Sequence, residues 1–278
     1  MTRPEPLLTS RSARVKQVRR LAARAQRTDR REFLVEGPHA VREALQRTEA
    51  VREVFLTAAA GQRHPQLQAA ATRQGISWHV VSDAVVAALS DTVSPQGVVA
   101  RCGFVDIAAH RLLGAAPCLI TVLVDSRDPG NAGTVIRTAD AAGADGVILA
   151  GHSVDAYNPK TVRASVGSIF HLPLVLADDV DAVLESVRGA GLRLIAADGA
   201  GSTSLDEAVE TGALAGPTAW LFGNEARGLP DRVRTDADAV VRVPIYGEAE
   251  SLNLAAAAAL CLYASARAQR QPGGYRAP

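Results

Sequence analysis

The chain is 278 residues long, 47% apolar and 21% charged, with 23 glycines, 14 prolines and three cysteines. That length is a prior for roughly two domains, and the composition excludes a collagen, a coiled coil and wholesale disorder. The formal net charge of +1 hides an asymmetry: residues 1–31 carry ten basic groups against Glu5 and Asp29, whereas the remaining 247 carry 20 basic and 27 acidic groups.

The basic arm, 1–31, is the electrostatic footprint of a polyanion partner, because each phosphate contact releases condensed counterions. Ser10 or Ser12 can cap a helix there, with Val15, Val18, Leu21, Ala22 and Ala25 near helical spacing. A solvated terminus or an Arg-rich transit peptide shares this composition. Apolar runs then alternate with helical patterns: strands at 33–36, 51–57, 76–82 and 96–104, helices at 38–47, 66–74 and 83–90. This predicts a small α/β domain over 32–106. Residues 107–117, punctuated by Gly114 and Pro117, read as a linker or helical turn.

From 118 the texture changes. Runs at 118–126, 145–150, 192–197, 219–222 and 239–245 are nearly continuous in apolar residues, as in strands buried on both faces. Helical patterns at 132–143, 180–191 and 253–270 lie between or after them, so a parallel sheet wrapped by helices is expected over 118–278. Trp78 and Trp220 both read as core, and His171 as packed near it. Cys102, Cys118 and Cys261 form no Cys-x-x-Cys pair, no His/Cys spacing suits a metal, and a reducing cytoplasm fits. The longest apolar run, 254–264, is too short to span a bilayer, so a soluble protein with no membrane partner and no metal is expected.

Ligands of such sheets bind beyond the carboxyl ends of strands, and three loops there carry polar residues. In 125–140, Asp128, Pro129 and Gly130 make a turn, after which Asn131 is placed to cap a helix carrying Arg137. Six residues of helix are ~9 Å of rise, so these two do not touch directly. A cap plus a surface arginine is an equal reading. In 221–230, Gly223 and Gly228 flank Asn224, Glu225 and Arg227, where glycine lets backbone approach a ligand. A plain turn explains this loop as well, and there is neither a dinucleotide fingerprint nor a Walker lysine. In 243–256, Pro244 ends a strand and Ser251 begins a helix with Asn253 in its first turn, an arrangement that suits a polar or anionic group.

Together, Asn-x-Gly-x-x-x-Arg-x-Ala at 131–139, Phe-Gly-Asn-Glu-x-x-Gly-Leu at 222–229 and the Pro-Ile…Glu-Ser-Leu-Asn-Leu-Ala stretch at 244–255 resemble the SpoU (TrmH-type) family of RNA ribose methyltransferases. The stretch 158–173 resembles that family's segment between its first and second motifs. FLVEGPHAVREAL at 33–45 and SPQGVVA at 94–100 resemble its RNA-binding substrate domain. The resemblance covers residues 14 to about 270.

The resemblance implies an α/β fold whose C-terminal parallel-sheet domain carries a deep trefoil knot, where sequence reasoning alone predicts an ordinary doubly wound sheet. It also implies a homodimer using S-adenosylmethionine, with cofactor contacts at Leu221, Phe222, Gly223, Ile245, Leu252 and Leu254. Catalytic groups would be Asn131, Arg137, Glu225, Ser251 and Asn253, and RNA contacts Arg14, Lys16, Arg19, Arg20, Lys160 and Arg163. Because an arginine holds its proton too firmly to act as a base, Arg137 is expected to anchor phosphate and lower the hydroxyl pKa, with Asn131 and Ser251 orienting it and the ribose. Ribosomal RNA is the favoured substrate, transfer RNA the alternative. A non-catalytic RNA-binding or assembly factor on the same fold and a nucleotide-cofactor oxidoreductase are the other classes, the latter disfavoured by the missing glycine fingerprint.

Overall fold

The computed structural model describes residues 8–47 and 49–270. It divides into two compact units: one runs to Val105 and takes in Tyr157–Phe170, the other comprises Asp106–Ala156 and the chain from His171 onward.

The first unit opens with α1 (Ala13–Arg19) and α2 (Arg24–Arg30), joined by a single 3₁₀ turn. Val15, Val18 and Leu21 are buried with Phe55, Val85 and Val99 in one core cluster. Residues 8–31 of the basic arm are therefore a structural part of this unit, 1–7 lying outside the described residues, and the helix phase predicted for those three positions is the buried one; Ala22 and Ala25 stay exposed. Then follow β1 (Glu32–Glu36), α3 (Pro38–Gln46), β2 (Val51–Thr57), α4 (Ala58–Arg63), α5 (Pro65–Arg73), β3 (Ser77–Val81), α6 (Asp83–Leu89) and β4 (Val98–Gly103). The four strands form a sheet of order β1-β4-β2-β3, with β2 and β3 parallel and the other pairs antiparallel. Trp78 lies on the outer face of β3 at 37% exposure, with its indole N–H donated to Thr72. It is not core: alternation along an edge strand turns it toward solvent.

One charge organises this unit. The Glu53 side chain, on β2, is 1% exposed and accepts from Arg14 on α1 and Arg101 on β4, with His79 on β3 at 3.4 Å. Burial pushes its pKa up, but His79, Arg101 and Arg14 outweigh that and hold it below the usual glutamate range.

The second unit begins with α7 (Ala109–Leu113), β5 (Leu119–Val124), α8 (Pro129–Ala142) and β6 (Gly146–Ala150). The chain then rejoins the first unit with α9 (Pro159–Ser165), inside the stretch expected to belong to the second domain. Aromatic packing is the physical reason: Tyr157 stacks on Phe104 at 3.7 Å between ring centres and on Phe33 at 4.7 Å, and Phe170 stacks on Phe33 at 6.0 Å. The second unit resumes with β7 (Leu174–Ala177), α10 (Val180–Gly189), β8 (Arg193–Ala197), β9 (Thr203–Ser204), α11 (Leu205–Glu210), β10 (Thr218–Phe222), α12 (Asp231–Asp236), β11 (Ala239–Arg242) and α13 (Leu254–Arg270). Its seven strands are all parallel, in the order β7-β6-β5-β10-β8-β11-β9.

Trp220 on β10 is fully buried and donates to Ser265 on α13. Gln269, in the last turn of α13, donates to the carbonyls of Cys118 and Gly216. His171 is exposed and bonds Asp140, because the carboxylate at the end of α8 gives its ring a polar partner outside the core. None of the three cysteines is in a disulfide among the described residues, and burial holds the thiols of Cys102 and Cys261 protonated, that of Cys261 pushed up to about 12. Among the described residues no helix is long and apolar enough to cross a membrane, and no group of His, Cys, Asp and Glu could hold a metal ion.

Removing one partner of a buried ion pair costs about 3–5 kcal/mol, so Glu53→Ala should destabilise the first unit by roughly that amount in chemical denaturation. Because the folded pKa of Glu53 is depressed, its contribution is complete above the glutamate range and is lost as pH falls through it. The wild-type melting temperature should fall on acidification over that window, and the variant's should fall less.

A candidate active site at three strand ends

Three loops at the carboxyl ends of the parallel strands meet in the second unit. The first follows β5. Asp125 adopts φ +54°, a left-handed conformation that aspartate tolerates better than most residues. Its carboxylate accepts from the His152 N–H and its carbonyl from the Asn224 side-chain amide. Asp128, not Asn131, caps α8: its side chain accepts from the Asn131 N–H at 2.8 Å. The reason is Pro129, which fits the first helical position and so moves the start of the helix forward. With its capping task removed, the Asn131 side chain is available for other contacts.

The second loop follows β10. Asn224 and Gly228 exchange backbone hydrogen bonds at 3.0 and 2.8 Å, and the Asn224 side chain accepts from the N–H groups of Ala226 and Arg227. The turn is so tight that a Cβ on Gly223 would stand 2.2 Å from the carbonyl carbon of Gly228. It aims Glu225 at the first loop. There the carboxylate accepts from the Ser126 hydroxyl at 2.8 Å, the N–H groups of Arg127 and Asp128 at 3.0 and 3.2 Å, and the Asn131 amide at 3.4 Å. Desolvation works to raise its pKa, but the backbone and hydroxyl donors prevail, and Glu225 is held ionised below the usual glutamate range.

The third loop joins β11 to α13. Asn253, not Ser251, caps the helix: its side chain accepts from the Ala255 N–H and its carbonyl from the Ala257 N–H. Ser251 lies outside the helix, exposed and without a hydrogen-bond partner among the described residues. The Asn253 amide donates to Asn131 Oδ1 at 2.9 Å. Asn253, Asn131 and Glu225, 122 residues apart at the extremes, thus form one connected chain. Arg137 sits farther along α8, exposed and unpaired among the described residues.

Beside this network is a cleft lined by Phe222, Gly223, Ile245, Leu252 and Leu254, with Ser251 and Glu225 on its wall. Leu221 is different: its side chain is fully buried in the core of the sheet, because alternation along β10 turns it away from the cleft. Sequence reasoning missed Asp198 and Glu250, both lining the cleft, and Ser126. Asp198, immediately after a buried strand, carried the same positional signal as the three loops. The proposed RNA contacts lie in the first unit. Lys16, Arg19 and Arg20 project from α1 and the 3₁₀ turn, exposed, while Arg14 is committed to Glu53. Lys160 opens α9, and Arg163 on the same helix pairs with Glu36 and Asp91.

Residues 118–263 match the model of the SpoU rRNA Methylase family, and residues 12–100 that of the MRM3-like substrate binding domain. The chain is 32% identical over 255 residues to the Bacillus subtilis 23S rRNA (guanosine(2553)-2'-O)-methyltransferase RlmP, covering 92% of this chain and 96% of that one. It is 35% identical over 272 residues to the Streptomyces viridochromogenes 23S rRNA (uridine(2479)-2'-O)-methyltransferase, covering 94% and 91%. Among solved structures, it is similar to the AdoMet-bound rRNA methyltransferase of Sinorhizobium meliloti, with a TM-score of 0.80, 31% identity and coverage of 94% and 97%. The AdoMet complex of AviRb from Streptomyces viridochromogenes gives a TM-score of 0.79 at 32% identity, covering 92% and 98%.

Gly223→Ala should destabilise the second unit by about 1–3 kcal/mol, the usual range for forcing a methyl into packed atoms, since the clash is with backbone and no side chain can yield. Denaturant titration followed by Trp220 fluorescence measures it.

Proposed function

The chain belongs to the SpoU rRNA methylase family, and from that premise we propose that it transfers a methyl group from S-adenosylmethionine to a ribose 2′-hydroxyl of structured RNA, ribosomal in preference to transfer RNA. The observation that carries the proposal is the Asn253–Asn131–Glu225 chain beside a cleft with a glycine cradle. The residues fit the cofactor. Ile245, Leu252 and Leu254 supply apolar walls, Gly223 lets the Gly228–Leu229 backbone close the turn at the edge of the cleft, and Asp198 and Glu250 place carboxylates where a cationic ligand would be favoured. Leu221 contributes packing behind Phe222, not a side-chain contact. When bound, S-adenosylmethionine supplies an electrophilic methyl group on a sulfonium.

The chain's own residues divide the remaining work. A carboxylate whose pKa is depressed and whose oxygens already accept four hydrogen bonds is a poor base, so Glu225 is a positioning residue. It fixes Asn131, whose Oδ1 is held by Asn253. Arg137, exposed and unpaired, is a permanent cation with a forked donor set suited to a phosphate or a ribose hydroxyl. It lowers the hydroxyl's pKa while keeping its own proton, and the hydroxyl proton leaves through phosphate or water. Ser251 has a hydroxyl not committed to any hydrogen bond among the described residues and orients the ribose.

The same reading includes a trefoil knot, a homodimer and a cytoplasmic location. Support for the knot is the sheet order, in which β10 lies between β5 and β8 while the third loop leads into α13, packed on α8. Support for the dimer is the exposure of Leu260 and Tyr263 on α13, apolar side chains that a second copy would cover. RNA is met through Lys16, Arg19, Arg20 and Lys160, with Arg14 and Arg163 contributing their remaining donors.

Isothermal titration should detect S-adenosylhomocysteine binding, and ribose-methylation mapping of total RNA with and without the gene should differ at a ribosomal position. No binding and no difference would refute the reading. Arg137→Lys should lower kcat roughly 100-fold, a usual penalty for misplacing a reacting group, with S-adenosylhomocysteine affinity unchanged. Near-normal turnover would show that the fork is not needed. Replacing Arg19 and Arg20 by Gln should reduce the slope of log binding constant against log salt by between about one and two. Deleting the arm would not test this, because α1 is part of the core.

A further inference from the structure

We propose that the first unit carries its own pocket for one unstacked nucleobase of the RNA, presented amino edge first. The inference rests on the RNA reading above and assigns a role to two stretches, 33–45 and 94–100, that the catalytic chemistry leaves unused. They meet around a cavity of about 270 Å³ lined by Glu36, His39, Ser90, Ser94, Gln96 and Val98. That volume lies just below the ~300 Å³ at which pockets for small molecules begin, and it has room for a single ring system.

The walls are held before any ligand arrives. The Glu36 carboxylate accepts from the Asp91 N–H at 2.8 Å and the Thr92 hydroxyl at 3.0 Å, and Arg163 bridges it to the Asp91 carboxylate. Within this frame several polar groups have no partner. The Ser90 hydroxyl oxygen is buried and unpaired, a costly state that a hydrogen-bonding ligand would relieve. Gly37, the N-cap of α3, has no side chain with which to cap the first-turn amides. Gly37, at φ +89°, leaves space for the Gln96 side-chain oxygen, which would lie 3.2 Å from any Cβ placed there. Val166, also lining the cavity, holds φ +50°, an outlier for a β-branched residue and the kind of strain found at ligand sites.

Charge decides the class of ligand. The one guanidinium lining the cavity, Arg163, is already shared between Glu36 and Asp91, so no uncompensated positive charge is left to hold a phosphate. The exocyclic amino groups of adenine or cytosine instead find acceptors in the Glu36 carboxylate and the Gln96 amide. Val98, Val166 and Ala40 give the ring faces aliphatic surface. Reading a splayed-out base by its edge is how single-stranded RNA is distinguished, and a chain with only 4% aromatic residues has little capacity to do so by stacking alone.

Dimethyl sulfate footprinting of protein-free 23S ribosomal RNA, with the full chain, reads this contact through the N1 of adenine and the N3 of cytosine. The unsubstituted protein should protect at least one unpaired A or C that Gln96→Leu and, independently, Ser94→Phe re-expose while the rest of the footprint persists. Affinity should fall about fivefold, the worth of a hydrogen bond or so, with an unchanged salt slope. S-adenosylhomocysteine binding and thermal melting verify that each variant is folded. Identical footprints from the folded variants and the unsubstituted chain would overturn the pocket, as would methyl transfer with no protected A or C. Absence of both footprint and methyl transfer would overturn the RNA reading itself, and the pocket with it.

Discussion

A partly desolvated carboxylate must be surrounded by donors, and Glu225 satisfies that requirement by reaching across to a different loop. The Ser126 hydroxyl, two backbone N–H groups and the Asn131 amide all converge on it. Loss of any of these leaves charge under-solvated in a partly buried setting, so the geometry of the first loop is dictated by a residue nearly a hundred positions downstream. Asn131 passes the constraint on. An amide that donates from Nδ2 to Glu225 must offer Oδ1 elsewhere, and Asn253 takes it. Three segments with no sequence proximity are registered by one anion, on a parallel sheet whose strands end together.

The first unit uses the same device. Glu53 is almost completely buried and gathers Arg14, Arg101 and His79 from three different elements. This explains why the N-terminal basic segment is ordered against the sheet instead of trailing from it. It also divides the arm's positive charge. Arg14 neutralises an internal carboxylate, and Arg27 is buried with its guanidinium donated to the Leu21 and Ala22 carbonyls. Lys16, Arg19 and Arg20 remain on the outer surface. A net of +8 counted from sequence over 1–31 thus overstates what a polyanion meets.

Strands buried on both faces were legible because a continuous apolar run has few other uses: β5, β6 and β8 fall within the predicted stretches, and β10 begins one residue ahead of its own. The three loops were legible because polar residues after such runs have nowhere to go but the sheet's carboxyl end. What was illegible depended on competition or on distance. Asp128 and Asn131 are both good capping residues, and only the position of Pro129 selects between them. Ser251 and Asn253 competed in the same way, and the residue adjoining the helix won. The return of 157–170 to the first unit rests on Tyr157 stacking on Phe104 and Phe33, contacts that no local pattern encodes. Trp78 was misplaced because alternation on a strand gives two faces, and sequence does not say which is covered.

Pairing, more than position, separates the arginines that hold the fold together from those left toward solvent. Arg14, Arg101, Arg163, Arg232 and Arg234 each have a carboxylate within salt-bridge distance, and Arg27 satisfies carbonyls. Arg137 has none of these among the described residues, although its helix α8 also carries Asn131, which donates to Glu225. The Glu225 carboxylate is not open to it. Ser126, the two backbone amides and Asn131 already occupy its acceptor sites, and Asp128 is occupied in capping the helix. The carboxylates in the neighbourhood are spent on holding the loops together. The guanidinium is left with its full donor set toward solvent, the condition under which a phosphodiester approaching from outside would find it unopposed.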